Sequence, residues 1–272
     1  MEERDPELEA RLKAAFKGCC FGGAIHGYAV CDSTMERAHA LAREGVGEGT
    51  LVFASRQTQG RGRMGRKWES PEGGAYFSLI LRPSRPLTET PQLSLVAGLA
   101  TAEAIRELTG LSLSIRWPND VLVDGKKVAG ILTEASVQRT ADSVQDYVVI
   151  GVGMNVSTDP RELPDTATSL RVALGSSYPL NAVRSTLDPM ALAAALCTKL
   201  DGWYDIWTAQ GFAPIREALR PWLNVGAIVR LTMGDSEVEG QATDIDDLGR
   251  LVVRLESGVV QAFEAGEVTL LR

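Results

Sequence analysis

Two histidines and four cysteines are the whole stock of soft metal ligands in 272 residues. The cysteines are Cys19, Cys20, Cys31 and Cys197. None has the Cys-x-x-Cys spacing of a zinc site, and the adjacent Cys19 and Cys20 are poorly placed to chelate one ion. With only His26 and His39 to add, zinc is not expected, and the thiols read as free groups in a reducing compartment. Positive charge is also short. Lys+Arg 28 against Asp+Glu 35 leaves a net charge of −7 and a pI near 5.1. That balance disfavours bulk binding to DNA or to a membrane surface. No apolar run is long enough to span a bilayer. The first residues, "MEERDPELEARLKAAFKG", are charged throughout and lack the apolar centre of a signal peptide. These absences imply a soluble, cytoplasmic chain whose basic sites, if any, are local.

What is present begins with a core. Hydrophobic residues make up 44% of the chain, enough for one large domain or a medium one with a small companion. Leu8, Leu12, Ala15 and Phe16 are spaced as on a helix. "STMERAHALAREG" reads as a second helix, with Ser33 and Glu36 as a capping box. "TLVFASRQ" and "AYFSLILRP" read as strands, and "QLSLVAGLATAEAIRELTG" as a long helix ending at Gly110. "LSIRWPND" and "VLVDGKKVAGILTEAS" read as a strand and a hairpin turning at Asp124-Gly125. "QDYVVIGVGMNV" is nearly all apolar, which suits a central strand covered on both faces. A loop-rich stretch to about residue 187 precedes two helices. From Asn224 the pattern changes to short strands and turns, as in a small closed β-barrel. The expected division is 1–223 and 224–272.

Four clusters of residues carry possible chemistry. "QTQGRGRMGRKWESPEGG" packs Arg61, Arg63, Arg66 and Lys67 among Gly60, Gly62 and Gly65, and then reaches Trp68. Glycine turns with arginines beside them can cradle an anion. A solvated hairpin and a nucleic-acid contact remain open, and the stretch lacks the Gly-Lys-Ser/Thr ending of a Walker loop. The like charges and glycines predict a mobile loop until a ligand supplies negative charge. Trp68 is either a stacking platform or a core residue. In "RWPND", Asn119 and Asp120 suit a hydrated Mg²⁺, a ribose hydroxyl or a plain Asx-turn. In "DGKKVAGIL", Lys127 borders an apolar strand and Gly130 interrupts it, as where a ligand approaches closely. In "CDSTME", Ser33 is an N-cap and Thr34 adds a hydroxyl at the positive end of a helix.

"DST", "QTQGRGRMGRKW", "RWPNDVLVDGKKVAGIL" and "VIGVGMNV" stand in the order and approximate spacing found in biotin–protein ligases. The chain resembles that family over roughly residues 27 to 272. The combination is specific, although no single piece is. The resemblance implies an α+β fold, a mixed β-sheet flanked by helices of the class II synthetase-like, biotinyl–lipoyl ligase kind. It also implies a small C-terminal barrel similar to a Src-homology-3 domain. The implied activity joins biotin, as substrate, to ATP with Mg²⁺ to give biotinyl-5′-AMP. Biotin then passes to a lysine of a biotin carboxyl carrier protein or domain. A monomer or homodimer is expected. Some relatives precede this unit with a DNA-binding helix-turn-helix. Only about 26 residues stand before the matching region here, which implies the monofunctional type.

Carried over residue by residue, Ser33, Thr34 and Gln57 match positions that hydrogen-bond the biotin ring. Gly60, Arg61, Gly62 and Arg63 match the loop that closes over biotin and the adenylate, with Arg66 on the ATP side. Trp68 matches the residue packing on adenine. Asn119 and Asp120 match positions near the phosphates, the metal and the acceptor lysine. Lys127 matches the lysine reaching the biotin carboxylate and α-phosphate. Gly130 and Asn155 match further pocket positions. The catalytic set implied is Lys127, Arg63 and Asp120. Met35, also a biotin-side position, stands where the family usually has asparagine, and Met64 interrupts a loop that is often more basic. A lipoyl or octanoyl ligase of the same fold is the nearest alternative. A nucleic-acid-binding module is the alternative of another class.

Overall fold

The computed structural model describes residues 4–139, 144–175 and 187–271. The loop-rich stretch expected up to residue 187 lies in part outside them. Seven strands form a mixed sheet: β1 (Ile25–Cys31), β2 (Leu51–Gln57), β3 (Gly74–Leu81), β4 (Ser114–Arg116), β5 (Asp120–Val123), β6 (Lys126–Arg139) and β7 (Val144–Asn155). Their order is β1-β2-β3-β7-β6-β5-β4. Only β1 and β2 run parallel; the other pairings are antiparallel. The nearly all-apolar β7 is the middle strand, as its composition requires.

Alternate residues of the strands feed two cores. Leu51, Phe53, Val148, Ile150 and Val152 join a large cluster with α1 (Pro6–Ala15), α3 (Gln92–Thr109) and α5 (Pro189–Gln210). Val52, Ala54, Tyr147 and Val149 point to the other face, where Met35, Ala38 and Ala42 of α2 (Thr34–Arg43) cover them. The period of two in a strand thus sends each set to one layer. Helix ends follow the sequence signals. Asp5 and Asp188 accept backbone N–H groups at the starts of α1 and α5, each followed by proline at the first helical position. Gly110 ends α3 in the left-handed conformation. The β5–β6 turn has φ of 48° at Asp124 and 75° at Gly125, the pattern of a type I′ hairpin. One expectation fails. Ser33 occupies the N-cap of α2, but its side chain makes no capping bond, so there is no capping box. Glu36 is drawn away to Arg61, and the Ser33 N–H that it would have accepted goes to Asp32 Oδ1 at 2.6 Å.

Two short helices, α4 (Leu170–Leu174) and α6 (Ala213–Leu219), flank these layers. The C-terminal strands are β8 (Ile228–Met233), β9 (Ser236–Ile245), β10 (Leu251–Leu255), β11 (Val260–Phe263) and β12 (Glu267–Leu270). They form an antiparallel sheet in the order β11-β10-β9-β8-β12, in keeping with a Src-homology-3-like unit. Its inner residues Val229, Leu231, Val253 and Phe263 belong to the same core as α3 and α5. The Trp117 indole N–H donates to Gly249 O at 2.9 Å, fastening this unit to the edge of the main sheet.

Candidate active site

The cavity lies on the α2 face of the sheet, where the strands lose their side chains. Gly151 and Gly153 stand two apart on β7 and so share that face, and Gly130 of β6 is paired opposite Gly153. A Cβ on Gly153 would fall 2.4 Å from the Trp68 indole, one on Gly130 2.9 Å from it, and one on Gly151 2.5 Å from Met35 Sδ. The glycines therefore make a floor on which Trp68 and Met35 lie flat. Between and above them is a cavity of about 250 Å³.

One wall is polar and held in place by hydrogen bonds. Thr34 donates both its N–H and its hydroxyl to Gln57 Oε1, at 2.8 and 3.0 Å. Ser78 Oγ donates to Thr34 Oγ1 at 2.9 Å, and Gln57 Nε2 donates to Ser70 Oγ at 2.8 Å. This chain of bonds orients the start of α2 against the exit of the basic loop.

The opposite end is cationic. Asp120 at the start of β5 sits between two cations: Arg116 Nη2 is 2.5 Å from Oδ2 and Lys127 Nζ is 2.5 Å from Oδ1. Lys127 Nζ also lies 5.0 Å from the centre of the Trp68 ring. Burial pulls the Lys127 pKa below the ordinary lysine value, with Asp120 partly opposing it. Burial likewise lowers Arg63, which donates to Asn119 Oδ1 at 3.1 Å. Asn119 Nδ2 in turn donates to Ile131 O at 2.9 Å, which fixes the amide.

The basic loop closes over this end, and its cations are not left to repel one another. Arg61 pairs with Glu36 and Glu134, Arg66 with Glu267 of β12, and Lys67 with Glu69. Arg63–Gly65 forms a short 3-10 turn in which Met64 takes a φ of 56°. The Met64 side chain projects to solvent, 66% exposed, so this interruption of the basic run stands outside the cavity.

Of the expected residues, Thr34, Met35, Gln57, Arg61, Gly62, Arg63, Arg66, Trp68, Asn119, Asp120, Lys127, Gly130 and Asn155 line this one cavity. Ser33 and Gly60 do not. Ser33 is buried with its Oγ unpartnered among the described residues, and Gly60 is pressed against the Trp68 carbonyl, leaving no room for a side chain. Asn119 and Asp120, the positions expected near the phosphates and their metal, both line the cavity and are engaged with its cations. Both oxygens of Asp120 face cations and Asn119 Oδ1 accepts from Arg63. Among the described residues there is no cluster of three or more histidine, cysteine or acidic groups fit to hold a resident ion. Sequence reading missed Arg116, Gly151, Gly153, Glu134 and Glu267. The two glycines had a signal, since an i, i+2 pair inside an apolar strand bares one face. Glu134 and Glu267 had none, because only folding brings them to the loop.

Residues 27–155 match the model of the biotin/lipoate A/B protein ligase family, and residues 225–271 match the biotin protein ligase C terminal domain. The chain is 37% identical over 263 residues to the bifunctional ligase/repressor BirA of Bacillus subtilis, which covers 94% of this chain and 77% of the relative. It is 36% identical over 246 residues to the biotin–[acetyl-CoA-carboxylase] ligase of Paracoccus denitrificans, covering 87% and 96% respectively. The solved biotin protein ligase from Aquifex aeolicus in complex with biotin and ATP has a TM-score of 0.73 at 30% identity, covering 92% of this chain and 99% of that one.

Proposed function

The chain belongs to the biotin/lipoate A/B protein ligase family, as a biotin protein ligase, and from that premise we propose how its cleft performs the reaction. It joins biotin to ATP as biotinyl-5′-AMP, releasing pyrophosphate, and transfers the biotinyl group to a lysine of a carboxyl carrier protein. The observation that carries the reading is one cavity with a hydrogen-bonding wall, a floor of Trp68 and Met35 seated on glycines, and a cationic end. Biotin has matching parts: a polar ring, an apolar chain and a carboxylate. Thr34 and Gln57 meet the ring, with Met35 as an apolar neighbour. The chain crosses the floor, and Lys127 and Arg63 take the carboxylate.

Attack of that carboxylate on the α-phosphate builds negative charge that fixed cations stabilise better than water does. Lys127 and Arg63 are already in place, held by Asp120 and Asn119, so little reorganisation is needed at the reacting atoms. Arg66 and Asn119 meet the nucleotide, and Trp68 offers a ring face to its base. The buried Trp68 Nε1 and Asn155 Oδ1 have no hydrogen-bond partner within the described residues, which supports a ligand at this spot. Mg²⁺ enters as part of the substrate MgATP. The mixed anhydride is labile to water, and the basic loop covers it until the acceptor lysine arrives. No helix of the described residues is long and apolar enough to cross a membrane, which is compatible with a cytoplasmic site of action.

The test is biotin-dependent exchange between ATP and pyrophosphate, followed by mass spectrometry of a carrier domain incubated with enzyme, biotin and MgATP. One biotinyl addition is expected. Exchange with lipoate in place of biotin would turn the assignment to the lipoyl branch of the family.

A further inference from the structure

The loop's arginines divide into two kinds. Among the described residues, Arg63 donates only to neutral oxygens, those of Asn119 and of the Gly266 backbone. Its charge is held but not neutralised at hydrogen-bond distance, so it remains available to an anion. Arg61 is committed elsewhere. Its Nη1 reaches Glu36 Oε1 at 2.6 Å, and its Nη2 reaches Glu134 Oε1 at 2.8 Å, with a further contact from Nη1 to Glu134 Oε2 at 3.3 Å. Two carboxylates face one guanidinium.

Glu134 is itself braced from behind. His39 Nε2 lies 2.9 Å from its Oε2, and His39 Nδ1 lies 3.3 Å from the Tyr147 hydroxyl. Glu36 and His39 are three residues apart on α2 and so present one face of the helix to β6. The position of Arg61 also governs the rest of the loop. Arg61 is bridged across the loop neck to Lys67, and the Trp68 N–H donates to Gly60 O at 2.9 Å. Whatever holds Arg61 holds both ends of the loop and the start of Trp68.

We propose that Glu134 and Glu36 form a latch for Arg61, which anchors the closed loop over the adenylate and leaves phosphate contact to Arg63. The inference rests on the ligase reading above. Glu134, Glu36 and His39 are positioning residues; none has to touch the substrate. The latch retains the intermediate, so its loss shows as escape of biotinyl-5′-AMP into solution.

The experiment compares wild type, Arg61→Gln, Glu134→Gln and the double variant. Each is assayed for free biotinyl-5′-AMP per biotinylated carrier and for KM of MgATP. Each single change is expected to raise the escape ratio about three- to fivefold, on the scale of a partly exposed charged pair. KM for MgATP should stay within about twofold in Glu134→Gln, which does not line the cavity, and the double variant should be no worse than either single one, as for groups acting as a unit. The charge-reversed pair Arg61→Glu with Glu134→Arg should recover part of the retention. Glu36→Gln, on the solvent side, should act in the same direction more weakly and serves if Glu134→Gln fails to fold. A large rise in KM for MgATP in Arg61→Gln alone, or multiplicative effects in the double variant, overturns the latch. A wild-type protein without biotin-dependent exchange overturns the ligase reading instead.

Discussion

Lys127 Nζ and Asp120 Oδ1 stand 2.5 Å apart at the cationic end of the cavity, and this pair sets the charge state on which the chemistry depends. Burial disfavours the lysine's charged form, while Asp120 favours it. Their balance leaves the pKa below that of a free lysine.

The first prediction concerns pH. The protonated lysine is the form that stabilises a phosphate, so exchange activity should fall as pH rises through the depressed Lys127 pKa. Asp120→Asn removes the favouring charge, lowers that pKa further and moves the alkaline limb to lower pH. Lys127→Arg should move the limb upward out of range, because guanidinium does not lose its proton there. Lys127→Ala should cost roughly 10²–10³ in rate at neutral pH, the effect of losing one preorganised donor. An alkaline limb that stays put in Asp120→Asn would separate Lys127 from the rate.

A second prediction tests the glycine floor. Gly153→Ala places a methyl 2.4 Å from the Trp68 indole, and both the strand and the ring are packed in place. Overpacking of this kind costs about 1–3 kcal/mol, read as a lower melting temperature, with a raised KM for MgATP, and for biotin lying on the same floor, as Trp68 shifts. Gly202→Ala is the contrast. Gly202 lies inside α5 with nothing within 4 Å of an added Cβ. It should stabilise the fold by about 0.5–1 kcal/mol and leave KM unchanged. Normal biotin affinity in Gly153→Ala would show that the ligand does not depend on this floor.

Much of the layout was legible in the sequence, and the reasons differ by element. The apolar run of β7 announced a central strand because both faces of it had to be covered. Asp124-Gly125 announced its hairpin because few other pairs tolerate two left-handed residues in a row. Asp5-Pro6 and Asp188-Pro189 had the chemistry of helix starts, and the structure uses them so. The capping box at Ser33 was a local inference that a tertiary contact overrode: Arg61, 25 residues away from Glu36, takes the carboxylate the box needed. The same limit hid the partners of the basic loop. Glu134 and Glu267 are 73 and 201 residues from the arginines they bind, and no local pattern encodes such a pairing. Composition predicted a loop of mutually repelling cations because it could not see those carboxylates.

The third prediction addresses the loop directly. Its ion pairs are partly exposed and individually weak, so the ligand-free loop should open often enough for trypsin to reach Arg61, Arg63, Arg66 and Lys67. The first cut should fall between Arg61 and Trp68. Biotin with MgATP should protect that site, and high salt without ligand should speed cleavage by screening the pairs. Equal cleavage with and without both substrates would mean that the loop does not act as a lid.

The last prediction separates two neighbouring hydroxyls at the start of α2. Ser33 is 1% exposed, does not line the cavity, and its Oγ has no hydrogen-bond partner within the described residues. Ser33→Ala therefore removes no bond seen here. It should change stability by less than about 0.5 kcal/mol, below the loss usual for an N-cap serine, while KM for biotin should rise, because a buried hydroxyl left without a partner is open to a ligand, as at Trp68 and Asn155. Thr34 is 3% exposed and lines the cavity. Its hydroxyl donates to Gln57 and accepts from Ser78, so Thr34→Val leaves a buried donor without its acceptor. The expected cost is about 1–3 kcal/mol in stability. KM for biotin should rise as well, because Gln57 loses one of the three bonds that orient its amide. Thr34→Ser keeps the hydroxyl and should restore KM. An unchanged KM for biotin in Ser33→Ala would take Ser33 out of the ring contacts, and an unchanged KM in Thr34→Val would take the Thr34–Gln57 pair out of them.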